Sequence, residues 1–259
     1  EVRNGEEVTA APRKEEAVPI VEPLCSSQWD QGSPYNKLCP VDGKKQCPAG
    51  CVAVAMAQIM KHHEWPKTGT GKVYYTPESL PGAGLQAVDF SQSNYDWSIM
   101  YNTTAELKAD ENAGDAVAKL CYDCGVSSRM QYAASGSGTY DDYAIQSMYE
   151  NFRYKASTIK IVYRDCYATQ EEWDEIWKAE LDAGRPVLYS GNSTSGGHEF
   201  VVDGYDTNNF VHVNWGWGGS SDGYFDIAIL NATASQSFSE GQGMIIGMEP
   251  DYADEDKVP

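Results

Sequence analysis

The order of hydrophobic and polar positions divides this chain into a helix-rich first part and a strand-rich second part. Four segments combine helix-forming residues with capping or stop signals, namely Cys51–His63, Ala105–Cys124 before Gly125, Tyr140–Phe152 and Gln170–Ala183. Short β-branched and aromatic runs follow, separated by Gly, Asn and Asp turns, at Pro186–Ser190, Glu199–Gly204, Phe210–Trp215 and Tyr224–Ile229. Helices followed by an antiparallel sheet predict an α+β fold with a cleft where the two halves meet.

The segment Cys51–His63 is the clearest of the predicted helices. Its small apolar residues cover more than one face, which predicts a helix buried in the middle of the domain. His62 and His63 stand in its last turn, where positive charge suits the helix dipole, and Pro66 follows as a stop.

The two ends of the chain differ from its body. Residues 1–16 contain no aromatic residue and no periodic apolar stripe, which predicts a flexible leader. Residues 251–259 predict a solvated acidic tail. The body, residues 17–250, is expected to fold as one domain.

Composition and charge narrow the functional classes. Of the 259 residues 41% are hydrophobic and 22% charged, as in globular proteins, and no apolar run is long enough to span a membrane. The excess of 38 acidic over 19 basic residues gives a net charge of −19. Such a surface repels phosphate backbones, so nucleic acid is excluded as an expected partner.

Cys51 is the clearest candidate for a reactive side chain, because it is the first residue of the predicted central helix and ends the run CPAGC. A thiol at a helix N-terminus faces free backbone N–H groups, which favour the nucleophilic thiolate. A strong nucleophile also needs a cationic partner, and the chain has four histidines. His62 and His63 are about 16–18 Å down the same helix and cannot reach Cys51.

The two remaining histidines differ in their surroundings. His212 alternates with valines and is expected to be a packed or edge residue of a strand. His198 follows small residues at the mouth of a predicted strand, so a ligand backbone could pass close to it. His198 is therefore the candidate partner of Cys51.

Three alternatives compete with this assignment. Cys51 could be a half-cystine with Cys47 or an inert core thiol, and His198 an ordinary loop residue. A zinc site would use Cys47, Cys51, Cys121 and Cys124. It is weak, because the first pair straddles a helix start and the second lies near the end of an amphipathic helix, where such a pair is more often core or disulfide. A redox Cys-x-x-Cys is the weakest, because that motif should open a helix after a strand.

Three stretches together resemble the streptopain family of secreted bacterial cysteine proteases, which are papain-like in fold. They are QWDQGSPYN from Gln28, CPAGCVAVAMAQIMKHHEWP from Cys47, and GGHEFVVDGYDTNNFVHVNWGWGGSSDGYFDI from Gly196. The likeness runs over most of residues 17–250. It implies a helical half whose central helix carries the cysteine, packed on an antiparallel sheet half.

The resemblance implies a role for each matching residue. Cys51 would be the nucleophile, and His198 its base and later the acid. Gln31 would share the oxyanion hole with the backbone N–H of Cys51. Trp215 would orient the imidazole, and Trp217 would shield it from water. The alternative for both tryptophans is a core aromatic pair.

The resemblance also implies a substrate groove and a precursor. The groove would be bordered by Gly197 and by a mobile loop, Ala133–Thr139, which contains Gly136 and Ser137. The family favours a bulky hydrophobic residue two positions before the cleaved bond. Its members are zymogens, so residues 1–16 would be the last piece of an N-terminal propeptide.

Two departures from the family pattern concern the site. Glu199 occupies a position that is usually small and apolar; in a strand its side chain should point away from that of His198, and it needs a partner if buried. The chain also has seven cysteines, whereas the family type protein carries essentially the catalytic one. The other six could form three disulfides whose pairing stays open, and Cys51 is expected to be free.

The resulting prediction is a secreted or cell-surface bacterial cysteine endopeptidase that acts on proteins or peptides as a monomer and needs no metal or organic cofactor. Two rival hypotheses come from other classes. One is a catalytically silent protease-like module that holds peptide or glycan in an aromatic cleft. The other is a zinc-stabilised structural domain.

Overall fold

The helix that carries Cys51 lies in the centre of the molecule, as its composition predicts. In the computed structural model, which describes residues 17–253, helix α1 spans Cys51–His63 and every residue from Val52 to Met60 is buried. The predicted leader, residues 1–16, and the end of the predicted tail, residues 254–259, lie outside the described residues.

The other helices surround α1 or cover the far side of the sheet. They are α2 (Thr104–Ala109), α3 (Glu111–Ser127), α4 (Asp141–Glu150) and α5 (Gln170–Asp182), with short 3₁₀ turns at Pro81–Ala83, Phe90–Gln92, Trp97–Ile99 and Arg164–Cys166. The predictions Tyr140–Phe152 and Gln170–Ala183 correspond to α4 and α5 within two residues at each end.

The prediction of one helix over Ala105–Cys124 was wrong in two respects. Asp110 is extended (φ −124°, ψ 107°) and separates α2 from α3, and its carboxylate accepts hydrogen bonds from the N–H groups of Asn112 and Ala113 as an N-cap. Gly125 does not stop the helix but lies inside α3, where an added Cβ would be 2.5 Å from the hydroxyl of Tyr132.

The strands form one large sheet and three small hairpins. Their bounds are β1 Pro19–Val21, β2 Val41–Asp42, β3 Lys45–Gln46, β4 Lys72–Tyr75, β5 Gln86–Asp89, β6 Lys160–Tyr163, β7 Val187–Ser193, β8 Gly196–Asp206, β9 Val211–Asn214, β10 Gly223–Phe225, β11 Asn231–Thr233, β12 Gln236–Ser237 and β13 Glu240–Ile246. The seven-stranded sheet has the order β10-β9-β8-β7-β13-β6, with β1 also paired to β8, and all its pairs are antiparallel. The four predicted strands correspond to β7–β10, whereas β6 and β13 were not predicted.

Each face of the sheet packs on a separate core, because successive side chains of a strand point to opposite faces. Leu188, Val201 and Ile245 belong to the core that contains α1 and α3. Tyr189 and Phe200 belong to the other core, with the tryptophans of α5. The predicted α+β, papain-like architecture is confirmed, with the Cys51 helix packed on the antiparallel sheet.

Three further features bear on the sequence predictions. Asp251, the first residue of the predicted tail, donates its N–H to the carbonyl of Arg153. All seven cysteines, each within residues 17–253, are free thiols, so the disulfides considered from the sequence are not formed and Cys51 is free as expected. Among the helices of the described residues, none has the length and apolar character needed to cross a membrane.

Candidate active site

Cys51 and His198 line one open cleft of about 450 Å³ between the helical half and the sheet. Cys51 begins α1, and His198 lies near the start of β8, opposite Gly191 of β7. The predicted groove residues Gly136, Ser137 and Gly197 line the same cleft. The structure thus brings five of the eight predicted site residues to one cleft.

Gly50 allows the chain to enter α1 at Cys51. Its φ of 96° is in a region that L-residues rarely adopt, and an added Cβ would lie 2.6 Å from Cε of Met130 and 3.1 Å from the carbonyl oxygen of Ser137. The tight packing of this turn fixes the backbone at Cys51 and so the direction in which its side chain points.

His198 is oriented by the backbone of Trp215 and by two indole rings. Its Nε2 lies 2.8 Å from the carbonyl oxygen of Trp215. A carbonyl oxygen only accepts, so Nε2 carries the proton and Nδ1 is the basic nitrogen. The imidazole stacks on Trp217 at 4.8 Å between ring centroids and on Trp215 at 6.2 Å.

Burial favours the neutral form of the Cys51 thiol and of the His198 imidazole when each group is considered alone. Burial raises the pKa of the Cys51 thiol to about 11, against the lowering effect of hydrogen bonds from the backbone N–H groups of Glu199 and Val52. Burial lowers the pKa of His198 to about 4, against the raising effect of the Trp215 carbonyl. Because each charge alone is costly here, a thiolate and an imidazolium are stable only if they form together.

Gln31 lies beside the start of α1 without lining the main cleft. Its carbonyl accepts the N–H of Ala49 at 2.9 Å, two residues before Cys51. One residue earlier, the Asp30 carboxylate accepts the N–H of Gln31 at 2.5 Å and so holds the loop in a tight turn. The loop with Gln31 is therefore anchored to the segment that presents Cys51.

Gln58 was missed in the sequence, yet it connects the three segments that carry the candidate residues. It is fully buried in α1, and its Oε1 accepts from the backbone N–H of Trp29 at 3.2 Å and from the hydroxyl of Ser27 at 3.3 Å. Its Nε2 donates to Oδ1 of Asn214 at 3.0 Å, next to Trp215. A polar residue inside an otherwise apolar helix was the signal that could have revealed it.

The side chain of Glu199 is buried and has a hydrogen-bonding partner, as a buried carboxyl group requires. Its carboxyl is hydrogen-bonded to that of Asp141, the first residue of α4. Its side chain lies on the helical side of β8, whereas the His198 ring packs with Phe200 on the other side, as strand alternation predicts.

The other histidines and cysteines are used elsewhere. His62 and His63 are partly buried rather than solvated caps: His62 contacts the carbonyls of Leu24 and Gly184, and His63 the hydroxyl of Tyr154. His212 pairs with Asp203 at 2.7 Å in the sheet, consistent with a packed strand residue. Within residues 17–253 no group of His, Cys, Asp and Glu side chains is arranged to hold a metal ion, so the cysteines of the zinc hypothesis do not form such a group.

Comparison with known proteins agrees with this geometry. A model of the peptidase C10 family matches residues 29–225. The thiol protease/hemagglutinin PrtT of Porphyromonas gingivalis is 35% identical over 230 residues, which are 86% of this chain and 26% of that protein. Streptopain of Streptococcus pyogenes is 33% identical over 261 residues, covering 90% of this chain and 63% of its own. The chain therefore spans less than two thirds of the curated relatives it matches.

Two solved structures share the fold. The active wild-type interpain A cysteine protease of Prevotella intermedia matches with a TM-score of 0.82 and 35% identity, over 88% of this chain and 95% of that one. A prointerpain A fragment from the same organism matches with a TM-score of 0.78 and 35% identity, over 89% of this chain and 73% of that one.

Proposed function

Because the chain belongs to the peptidase C10 family, we propose that it is a cysteine endopeptidase whose nucleophile is Cys51 and whose general base and acid is His198. The observation that carries the proposal is the shared cleft of these two residues, with the proton of His198 on Nε2 and the basic Nδ1 left for the thiol. The relatives named as thiol or cysteine proteases support the same chemistry.

The first step creates two charges at once. The Cys51 thiol gives its proton to Nδ1 of His198, and the resulting thiolate attacks the carbonyl carbon of the scissile bond. Backbone N–H groups of Glu199 and Val52 stabilise the charge on sulfur, and the Trp215 carbonyl stabilises the imidazolium through Nε2. Trp217, stacked on the imidazole, excludes water from the pair.

The oxygen of the tetrahedral intermediate becomes negative and needs donors. The backbone N–H of Cys51 and the side-chain amide of Gln31 are proposed for this oxyanion hole, supported by the attachment of the Gln31 loop to Ala49. The loss of one such donor typically costs about 2.7–4 kcal/mol of transition-state stabilisation.

The imidazolium then returns its proton to the leaving amine, and the acyl group stays on Cys51 as a thioester. Water attacks this thioester with His198 again as base, which releases the new carboxylate and restores the thiol. Every step uses side chains and backbone groups of one chain, so the proposal needs neither a second subunit nor a cofactor.

We also propose that the chain is the peptidase part of a longer secreted or cell-surface bacterial precursor. Its share of 63% of streptopain and 26% of PrtT, and the likeness to a prointerpain fragment, support this. Residues 1–16 would then be the end of an inhibitory propeptide. The substrates would be proteins and peptides.

The dyad is tested by limiting alkylation with iodoacetamide near pH 6, under conditions that keep thiols reduced, followed by peptide mapping. At this pH an ordinary thiol is almost wholly protonated. The exposed Cys166, which does not line the cleft, serves as an internal reference for the rate of labelling. We expect the wild type to be labelled first on Cys51 and to hydrolyse unfolded protein, and Cys51→Ala to be inactive.

The matched variants are His198→Ala and His63→Gln, which remove a dyad histidine and one outside the cleft. His198→Ala should lose both the selective label and hydrolysis, whereas His63→Gln should keep both. Labelling of Cys51 no faster than Cys166, or hydrolysis that persists in Cys51→Ala, would overturn the proposal. Peptide binding without hydrolysis would instead indicate the silent binding module.

A further inference from the structure

Two carboxyl groups meet inside the proposed catalytic cleft and take no part in the proposed chemistry. Asp141 and Glu199 both line it, and their carboxyls are hydrogen-bonded to each other. Glu199 is only 4% exposed, whereas Asp141 is half-buried.

The fold places this pair through the register of four strands. Glu199 of β8 is opposite Ser190 of β7, Ser190 is opposite Gly243 of β13, and Gly243 is opposite Tyr163 of β6. Partners directly across a sheet share a face, so these residues form one row on the helical side of the sheet. Of this row, Glu199, Ser190 and Tyr163 line the cleft together with Asp141, which lies at the N-terminus of α4.

The two carboxyls of the pair differ in their environment and therefore in their tendency to hold a proton. Burial and the neighbouring Asp141 raise the pKa of Glu199 well above its usual range, so Glu199 keeps its proton and donates it to Asp141. Burial also raises the pKa of Asp141, but the hydrogen bonds from Glu199 and from the Ser190 hydroxyl lower it. With the helix N-terminus as well, Asp141 is the member that carries the charge.

Within the described part of the chain this pair lacks a positively charged partner. Among residues 17–253, neither carboxyl is acted on by a lysine or arginine. An anion in a half-buried cleft without a counter-ion is costly, and a cation supplied by a ligand would reduce that cost.

A second polar group in the cleft also lacks a partner. The hydroxyl of Ser137 belongs to a side chain only 8% exposed and has no hydrogen-bond partner within the described residues. It lies between Gly136 and Gly138, which line the same cleft. Buried polar groups of proteins are nearly always hydrogen-bonded, so an unpartnered one lining a cleft indicates a group that a ligand satisfies.

We propose that this part of the cleft is an acidic subsite that binds a lysine or arginine side chain of the substrate near the scissile bond, with Asp141 and Glu199 as the specificity-determining residues. The proposal rests on the proposed peptidase function and goes beyond it. Asp141 would form the charge-assisted hydrogen bond with the bound cation, and Glu199 would hold the Asp141 carboxylate in place through their hydrogen bond.

An apolar substrate side chain would fit this subsite poorly. Apart from the proposed dyad, Val52 and the ring of Tyr163, the cleft is lined by carboxyls, hydroxyls, glycines and an amide. A bulky hydrophobic group would remove water from Asp141 and supply no partner in return. The resemblance implies a preference for a hydrophobic substrate residue, but it does so for proteins that have a small apolar residue at the position of Glu199. This chain has a glutamate there.

Peptide libraries test the subsite. The wild type is assayed on fluorogenic libraries that vary one position at a time from three residues before the scissile bond to two after it. We expect lysine and arginine to be preferred at one of these positions by about tenfold or more in kcat/KM over leucine, the range of a charge-assisted hydrogen bond.

The charge is then removed with little change in shape. In the double variant Asp141→Asn/Glu199→Gln the ratio of kcat/KM for lysine over leucine peptides should fall to about one, and Glu199→Val should shift the preference towards apolar residues. The ratio is taken within each variant, so a change in overall activity does not affect it. Asp142→Asn is the matched control, because Asp142 is the exposed neighbour on the same helix turn and does not line the cleft. It should behave as the wild type.

Two results would overturn the proposal. One is a wild type that prefers aliphatic or aromatic residues at every position tested, and the other is a basic preference that survives in the double variant with unchanged circular dichroism. Failure of the peptidase function itself is distinct, because no peptide would be cleaved and Cys51 would show no selective alkylation.

Discussion

Single residues with unusual backbone or hydrogen-bonding requirements position the chemistry of this protein. Gly50 gives the chain the positive φ and the close approach to Met130 that place Cys51 at the head of α1. Trp215 orients His198 with its carbonyl oxygen, while its indole N–H donates to the carbonyl of Ser221. The orienting group is thus main chain, and the tryptophan side chain is held separately.

Gly50→Ala should therefore damage both stability and catalysis. A Cβ at this position meets the Met130 side chain at 2.6 Å, and the φ of 96° is strained for alanine. We expect a loss of about 1–3 kcal/mol in the free energy of unfolding and a lower kcat. Urea denaturation and peptide hydrolysis measure the two effects. Gly82→Ala is the control, because a Cβ there meets nothing within 4 Å, and equal stability of the two variants would contradict the argument.

At the scale of elements, the two ends of helix α1 lie in different environments. Its first residue reaches the cleft, and its last turn packs two histidines against the rest of the molecule. His63 contacts the hydroxyl of Tyr154 at 2.9 Å, and burial lowers the pKa of His63 to about 3. The folded protein therefore requires the neutral imidazole at this end of α1.

This requirement predicts how stability depends on pH. The unfolded chain protonates His63 below its ordinary pKa of about 6.5, and the folded chain does so only near 3, so the contribution of His63 is intact above pH 6.5 and is lost as the pH falls towards 3. The slope in this window is at most about 1.4 kcal/mol per pH unit. In His63→Gln the decrease between pH 7 and pH 4.5 should be smaller than in the wild type.

The measurement is urea denaturation of both proteins at both pH values. Other titrating groups, such as Asp222, are common to the two proteins and cancel in the comparison. Equal losses of stability in wild type and variant would show that His63 becomes protonated in the folded state without cost.

At the scale of the whole molecule, one buried polar network holds the candidate catalytic segments together. Gln58 in α1 bonds the strand-end residue Asn214 and the backbone of Trp29, and Asn214 donates to the carbonyl of Ser27 and accepts from the N–H of Gly216. The helix of Cys51, the loop of Gln31 and the turn of Trp215 are thus tied to each other through a single side chain.

Gln58→Leu should loosen this arrangement. The buried partners would lose their hydrogen bonds, which costs about 1–3 kcal/mol of unfolding free energy. The value of kcat should fall more than KM changes, because the proposed oxyanion donors and His198 would no longer be held in position. Denaturation and steady-state kinetics measure both. Gln92→Leu, at an exposed position, should change neither; a Gln58→Leu protein with wild-type kcat would refute the positioning role.

The local sequence was sufficient to predict an element where its start, stop and periodicity signals all lie within a short segment of the chain. The bounds of α1 follow from Gly50, a run of helix formers and the Pro66 stop, and β7–β10 follow from runs of β-branched residues between turns. The same approach failed for β13, whose Gly241 and Gly243 hide the alternation, and at Asp110, where a capping side chain interrupts an otherwise helical run. Local propensity cannot report a break that is favoured by hydrogen bonds of the next helix.

The sequence by itself determined the α+β class, the central cysteine helix and, through three matching stretches, the family and the candidate dyad. Only the tertiary structure decided that a main-chain carbonyl accepts a hydrogen bond from His198, that Gln58 links three distant segments and that Asp141 and Glu199 lie together in the cleft. These arrangements depend on strand order and register, which bring together groups far apart in the chain. Every residue, moreover, has a backbone carbonyl, so the amino-acid sequence does not indicate which carbonyl will contact the histidine.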